Sequence, residues 1–252
     1  GPSTGAPTSV PTPTLPPLPT QQPALVGGQN LFIEYILDAS GSMLQPMGSQ
    51  TKLAVARQVL GEHMLLQPVD TNFGLRVYGR RIPWADTAKS CQDVELVAEV
   101  EPGQGERIAA WLQSMQAQGM SPIGLALRQA AEDFQMLPER DNRIVLISDG
   151  QETCGIDPCQ EVENLKKQGF QIIVNVIGLD LDAEARSQLR CVATKAGGTY
   201  QDANTPQDLQ AALGQATQLT LDQPPTSPAA AGQTPVGQEA TATPTAAAGL
   251  TL

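Results

Sequence analysis

The chain has 252 residues and a formal net charge of −11 at pH 7, from 26 acidic and 15 basic residues. This acidic balance argues against nucleic acid as a partner and against docking on anionic lipid, because both depend on clustered lysine and arginine. It is compatible with binding divalent cations. No uninterrupted apolar stretch is long enough to span a bilayer, so we expect no direct membrane insertion of this chain.

Composition divides the chain into three segments. Residues 1–29 are dominated by Pro, Thr, Ser and Gly, and residues 222–252 by Pro, Thr, Ala, Gly and Gln. Neither segment has enough apolar side chains to offset the entropy of folding, so both are predicted to be disordered linkers. Residues 30–221 are predicted to form one domain of ordinary size.

Strands and helices alternate along residues 30–221. The first strand is the near-continuous apolar run Leu31–Leu37, and a helix with one apolar face follows over Lys52–Leu66. Further strands are predicted at Asn72–Tyr78, Val94–Val100, Arg143–Ser148, Gln171–Ile177 and Thr199–Gln201. Further helices are predicted at Glu106–Gln116, Pro122–Leu137, Pro158–Gly169 and Asp182–Ala196, and from Pro206 onward.

This alternation predicts an α/β fold of the Rossmann-like, doubly wound kind. We expect a mostly parallel six-stranded sheet with helices on both faces. Val94–Val100 alternates only in part and is expected to be a short antiparallel edge strand. In such folds, ligands bind beyond the carboxyl ends of the strands, where the strand order reverses.

Three segments are expected to bring oxygen atoms to that edge of the sheet. Asp38–Ser42 follows the first strand, Ser121 precedes the third helix, and Asp149 follows the fourth strand. Carboxylates and hydroxyls suit Mg²⁺, Mn²⁺ or Ca²⁺ and suit zinc or copper poorly. Each segment alone could also be an ordinary turn or helix cap. Taken together, they predict a metal site formed by Asp38, Ser40, Ser42, Ser121 and Asp149.

These segments resemble a known family. Asp-Ala-Ser-Gly-Ser at 38–42, Ser-Pro-Ile-Gly at 121–124 and Ser-Asp-Gly at 148–150 are similar to the metal ion-dependent adhesion site (MIDAS) of von Willebrand factor type A (VWA) domains. The resemblance covers residues 30–221, and the cysteine-containing loop at 154–159 is similar to a bacterial exported branch of that family. It implies the strand order 3-2-1-4-5-6, with strand 3 antiparallel.

The resemblance also implies a role for each site residue. Ser40 and Ser42 would coordinate the metal directly, and Asp38 and Asp149 would act mainly through water or from close by. Ser121 stands where the family usually has threonine, so it keeps the hydroxyl but lacks the methyl group that stiffens χ1. Neutral hydroxyls leave a cation under-neutralised, so a partner's acidic side chain can complete its coordination.

The pattern therefore favours a non-enzymatic protein-binding or adhesion module that grips an Asp or Glu of a partner protein through Mg²⁺. Two alternatives stay open. One is a metal-dependent, phosphatase-like hydrolase, although no second aspartate stands two residues after Asp38. The other is an intracellular assembly partner of an ATPase.

The four cysteines bear on the compartment. Cys91, Cys154, Cys159 and Cys191, with the Pro/Thr-rich flanks, favour disulfides in an extracytoplasmic protein, although free thiols in the cytosol are the alternative. We expect a periplasmic, cell-surface or secreted protein, and an anchoring segment outside this sequence is compatible with that location. We favour the pairings Cys91–Cys154 and Cys159–Cys191, with a local Cys154–Cys159 bond as the alternative.

Three other residues could be functional or structural. His63 is the only histidine and lies on the apolar face of the first helix, so it is predicted to be a packed, hydrogen-bonded residue. Trp84 lies in a loop at the metal edge and is either an anchor for a partner or a clamp that folds back on its loop. Glu152 is predicted to be a solvated loop charge.

Overall fold

A computed structural model describes residues 31–134 and 140–217. The predicted linkers 1–29 and 222–252 lie outside the described residues, as do both ends of the predicted domain. No helix in the described ranges is long and apolar enough to cross a membrane.

A six-stranded sheet forms the centre of the described chain. Its strands are β1 (Leu31–Asp38), β2 (Asn72–Tyr78), β3 (Val94–Glu101), β4 (Asp141–Ser148), β5 (Ile173–Leu179) and β6 (Tyr200–Ala203). They lie in the order β3-β2-β1-β4-β5-β6, and every neighbouring pair is parallel except β2–β3. The predicted fold class, strand order and antiparallel edge strand are thereby confirmed.

The helices lie close to the predicted positions. They are α1 (Lys52–Leu66), α2 (Thr87–Ser90), α3 (Gly105–Leu112), α4 (Ile123–Phe134), α5 (Pro158–Lys167), α6 (Ala183–Ala196) and α7 (Pro206–Ala216). Helix α3 ends earlier than predicted because the N–H groups of residues 113–115 bond to carbonyls three residues back, which tightens the chain out of the α-helix. The short helix α2 and a small hairpin, Pro46–Met47 with Gln50–Thr51, were not predicted.

Helices cover both faces of the sheet, as the buried strand β1 requires. All eight residues of β1 are buried, and alternate side chains point to opposite faces. Phe32 and Ile36 pack in a cluster with residues of α4, α5 and α6. Tyr35, on the other face, contacts His63 of α1. The carboxyl end of β1 therefore opens between two helical layers, which is where the predicted metal segment begins.

His63 is a buried, hydrogen-bonded residue, as predicted. Its Nε2 lies 3.0 Å from the Tyr35 hydroxyl and 3.1 Å from Nε2 of Gln67. Burial lowers the pKa of His63 from 6.5 to about 4, because the charged imidazolium loses its water shell. The folded protein therefore holds this ring neutral at pH values where the unfolded chain protonates it.

The first expected outcome follows from that lowered pKa. Because the unfolded state binds the extra proton, the stability contributed by His63 is full above about pH 6.5 and is lost as the pH falls from there to the folded pKa of about 4. Lowering the pH from 7 to 4 should cost about 3 kcal/mol through His63 alone. Urea unfolding gives the free energy of unfolding of the wild type and of His63→Gln as a function of pH. The contribution of His63 is the difference between the two slopes of that free energy against pH. Equal slopes would contradict the assignment.

Candidate metal centre

The carboxylate of Asp38 is held by three donors. Asp38 ends β1 and is fully buried. Its Oδ1 accepts a hydrogen bond from the backbone N–H of Ser40 at 2.7 Å. Its Oδ2 accepts from the Tyr78 hydroxyl at 2.7 Å and from Ser148 Oγ at 2.8 Å. Neutral donors from the turn after β1 and from strands β2 and β4 thus fix the orientation of the carboxylate without cancelling its charge.

The two serines after β1 connect to the loop that follows β4. Oγ of Ser40 and Oγ of Ser42 lie 2.9 Å apart, and Ser42 Oγ donates to Oδ1 of Asp149 at 2.7 Å. Because the Ser42 proton points to Asp149, Ser40 is the donor between the two hydroxyls. A continuous chain of polar contacts therefore joins Asp38, Ser40, Ser42 and Asp149, which are four of the five predicted site residues.

Backbone contacts hold the Ser121 loop against both of the other loops. The N–H of Gln118 donates to the carbonyl of Ala39 at 3.1 Å, and the N–H of Gly41 donates to the carbonyl of Gly119 at 2.9 Å. On the other side, Ser121 donates its N–H to Thr153 Oγ1 at 2.8 Å and accepts from the Thr153 N–H at 3.2 Å. Ser121 itself is buried.

Two glycines make this close approach of the loops feasible. Gly79, just after β2, has a left-handed φ of 72°. A Cβ there would lie 2.5 Å from the carbonyl oxygen of Met120, and a Cβ at Gly119 would lie 2.7 Å from that of Ile82. Any side chain at either position would force the Ser121 loop away from the segment that follows β2.

Glu152 has a structural role, so the prediction of a solvated loop charge was wrong. Its Oε2 accepts from the N–H of Gly124 at 2.8 Å, and its Oε1 accepts from the N–H of Cys154 at 2.6 Å. The first N–H groups of a helix have no partner within it, so Glu152 caps α4 from a distant loop. Burial raises the pKa of Glu152, and the backbone donors oppose that shift.

The structure contains both of the favoured disulfides. Cys91 is bonded to Cys154 with a Cα–Cα distance of 5.3 Å, and Cys159 to Cys191 with 5.6 Å. The first bond ties the loop after α2 to the loop that carries Glu152. The second joins α5 to α6. Structural disulfides are typical of oxidising compartments.

Lys52 is a component of the centre that the sequence analysis missed. It is the first residue of α1, yet it is only 3% exposed. Its Nζ lies 3.2 Å from Oδ2 of Asp149 and donates to the carbonyl of Asp180, also at 3.2 Å. A lysine in the first turn opposes the helix dipole, and that conflict was the available signal in the sequence.

Asp149 has an oxygen whose bonding is incomplete. Its buried Oδ2 accepts no well-aligned hydrogen bond, although the ammonium of Lys52 is nearby. Burial, followed by the charge of Asp38, raises the pKa of Asp149 to about 6, while Ser42 and Lys52 act in the opposite direction. A buried carboxylate in this state gains most from a further cation.

The residues present fit a hard divalent cation. Oxygen donors from hydroxyls and carboxylates are the ligands that Mg²⁺, Mn²⁺ and Ca²⁺ prefer. Within residues 31–134 and 140–217, no group of three or more His, Cys, Asp or Glu side chains is placed to hold a metal. A cation at this edge would therefore depend on the serine hydroxyls as well as on the two carboxylates.

Comparison with known proteins identifies a related bacterial protein. No protein-family model matches the chain. It is 32% identical over 183 residues to the uncharacterized protein YwmD of Bacillus subtilis (strain 168), covering 71% of this chain and 82% of YwmD.

Solved structures with the same architecture include VWA domains. A von Willebrand factor type A protein from Catenulispora acidiphila matches with a TM-score of 0.59 and 18% identity, over 74% of this chain and 41% of that one. The proximal thread matrix protein 1 of the mussel byssus, with a zinc-occupied MIDAS motif, matches with a TM-score of 0.50 and 20% identity, over 73% and 46%. At these identities, the likeness establishes the VWA fold alone.

A second expected outcome concerns the donors to Asp38. Tyr78→Phe leaves a buried carboxylate oxygen with one donor fewer, so it should destabilise the protein by about 1–3 kcal/mol. Tyr200→Phe is the matched control, since that hydroxyl bonds to the exposed Asp202 at 2.8 Å, and it should cost clearly less. Urea unfolding compares the two variants. Equal costs would show that Tyr78 does not support a buried charge.

Proposed function

We propose that this chain, which belongs to the same protein family as YwmD of Bacillus subtilis, is a metal-dependent protein-binding module. Asp38, Ser40, Ser42, Ser121 and Asp149 would hold Mg²⁺, or Mn²⁺ or Ca²⁺ in its place, and a partner protein would supply an Asp or Glu. The observation that supports this most strongly is the incompletely bonded Oδ2 of Asp149 beside a run of serine hydroxyls.

The hydrogen bonds suit the serines for this role. A bound cation offers a coordination position to a partner's carboxylate. Ser42 gives its proton to Asp149 and Ser40 gives its proton to Ser42, so the lone pairs of the Ser40 hydroxyl are free to face a cation. Asp38 orients the backbone of Ser40 through the N–H bond and contributes negative charge from behind the hydroxyls.

The contacts of Asp38 favour binding over catalysis. In a phosphatase-like enzyme the aspartate at this strand end would attack the substrate. Here both of its oxygens already accept hydrogen bonds, and the residue is fully buried. His63, the only histidine of the chain, lies against Tyr35 in the core. These features support a non-enzymatic role.

Two exposed apolar side chains flank the proposed metal position. Leu44, two residues after Ser42, is 53% exposed, and Trp84 is 66% exposed. The backbone N–H of Trp84 donates to the carbonyl of Gln118 at 3.0 Å, and Gln118 in turn bonds to Ala39. The exposure of Trp84 favours an anchor for a partner over a clamp. The partner would then present apolar residues beside its acidic side chain.

The disulfides support an extracytoplasmic location for this module. Cys91–Cys154 and Cys159–Cys191 are both formed, and such bonds are rare in reducing compartments. The protein would therefore act in the periplasm, on the cell surface or in a secreted form. An intracellular assembly role with an ATPase is correspondingly less favoured.

A third expected outcome tests the metal ligands. The double variant Ser40→Ala, Ser42→Ala should bind Mg²⁺ and Mn²⁺ at least about tenfold more weakly than the wild type, because it removes two oxygen ligands. Isothermal titration calorimetry measures the affinities. Ser187→Ala, at an exposed position of α6, is the control and should leave them unchanged. Equal affinities in the double variant and the wild type would contradict the proposed ligand set.

A fourth expected outcome tests the partner surface. Trp84→Ala should weaken Mg²⁺-dependent capture of surface proteins by about tenfold or more, since exposed tryptophans often dominate binding energy. Metal affinity should not change. Leu66→Ala is the control, because Leu66 is 73% exposed at the far end of α1, away from the metal edge. Capture that survives both EDTA and Trp84→Ala would contradict the proposal.

A further inference from the structure

Lys52 is held by specific contacts inside the candidate metal centre. Its ammonium is buried between Oδ2 of Asp149 and the carbonyl of Asp180. Asp180 has a left-handed φ of 47°, an uncommon conformation for a residue other than glycine. The backbone N–H of Lys52 donates to the carbonyl of Gln45 at 2.9 Å, so the segment after the two serines fixes the start of α1. Burying an ammonium is costly, and neither helix formation nor apolar packing accounts for it.

The charges at the centre show what this lysine changes. The carboxylates of Asp38 and Asp149 and the ammonium of Lys52 leave one net negative charge among three buried groups. A divalent cation would turn this into one net positive charge, and a single carboxylate would then bring it to zero. With a neutral residue at position 52, the cation alone would already make the centre neutral, and a carboxylate would add uncompensated charge.

We propose that Lys52 makes the centre selective for a cation together with one anionic group, rather than for a cation alone. This inference rests on the proposed function and deepens it. Lys52 repels a cation in the empty centre and attracts the carboxylate that follows, so the two ligands should strengthen each other's binding reciprocally. Lys52 is a positioning and charge-setting residue, and it does not need to touch the partner.

The test uses Mn²⁺ and acetate as probes, on the whole chain. Mn²⁺ affinity is measured by calorimetry with and without acetate at matched ionic strength, for the wild type and Lys52→Met. In the wild type, acetate should tighten Mn²⁺ binding. Lys52→Met should bind Mn²⁺ about tenfold to a hundredfold more tightly without acetate, because a nearby unit charge is removed. Acetate should no longer tighten the binding.

Three variants complete the design. Lys52→Arg keeps the charge and should behave as the wild type. Lys89→Met removes a positive charge from an exposed ion pair with Asp86. It should change the Mn²⁺ affinity neither with acetate nor without it. Lys52→Gln is a second neutral variant in case Lys52→Met does not fold, as judged by urea unfolding.

The outcomes separate this inference from the proposed function. If the wild type binds Mn²⁺ and Lys52→Met binds it equally or more weakly, the role of Lys52 is overturned and the metal site is retained. The same holds if acetate still tightens Mn²⁺ binding in Lys52→Met. Binding in Lys52→Met but not in the wild type supports the opposition between Lys52 and the cation and contradicts the proposed function. Mn²⁺ binding in neither protein overturns both.

Discussion

The structure depends on one buried carboxylate, that of Asp38. A charge with no exposure to water must be surrounded by donors, and each donor comes from a different part of the fold. Tyr78 comes from β2, Ser148 from β4, and the N–H of Ser40 from the turn after β1. The hydrogen bonds to the Asp38 carboxylate therefore align the ends of three neighbouring strands and fix the turn that presents Ser40 and Ser42.

Further contacts hold the neighbouring loops in place at this edge of the sheet. The Cys91–Cys154 bond and the Glu152 cap hold the loop after β4. This loop holds Ser121 by two hydrogen bonds with Thr153, one to the Thr153 hydroxyl and one from its N–H. Fixing these groups before a ligand arrives reduces the entropy lost on binding.

The local patterns of the sequence predicted much of the fold. The bounds of α1 and β2 match the predictions. Helix α1 begins after Thr51, whose side chain accepts a hydrogen bond from the N–H of Ala54. The strand order came from the family resemblance. Two of the three loops of the candidate metal centre, those of Asp38 and Asp149, follow neighbouring strands that end at the same edge of the sheet. Lys52 and Glu152 were missed for a common reason. Their partners, Asp149 and the start of α4, are distant in sequence. A lysine in the first turn of a helix marks Lys52 as unusual, but it does not identify the partner.

The main proposal is that this edge of the sheet binds a divalent cation at Ser40 and Ser42. Anomalous diffraction from a crystal grown with Mn²⁺ tests it most directly, because the metal is located without assumption about its ligands. If the serines hold the cation, one strong anomalous peak should lie within coordination distance of the hydroxyls of Ser40 and Ser42, beside Asp149. A well-ordered edge with no peak at these serines, or a peak only elsewhere on the molecule, would contradict it.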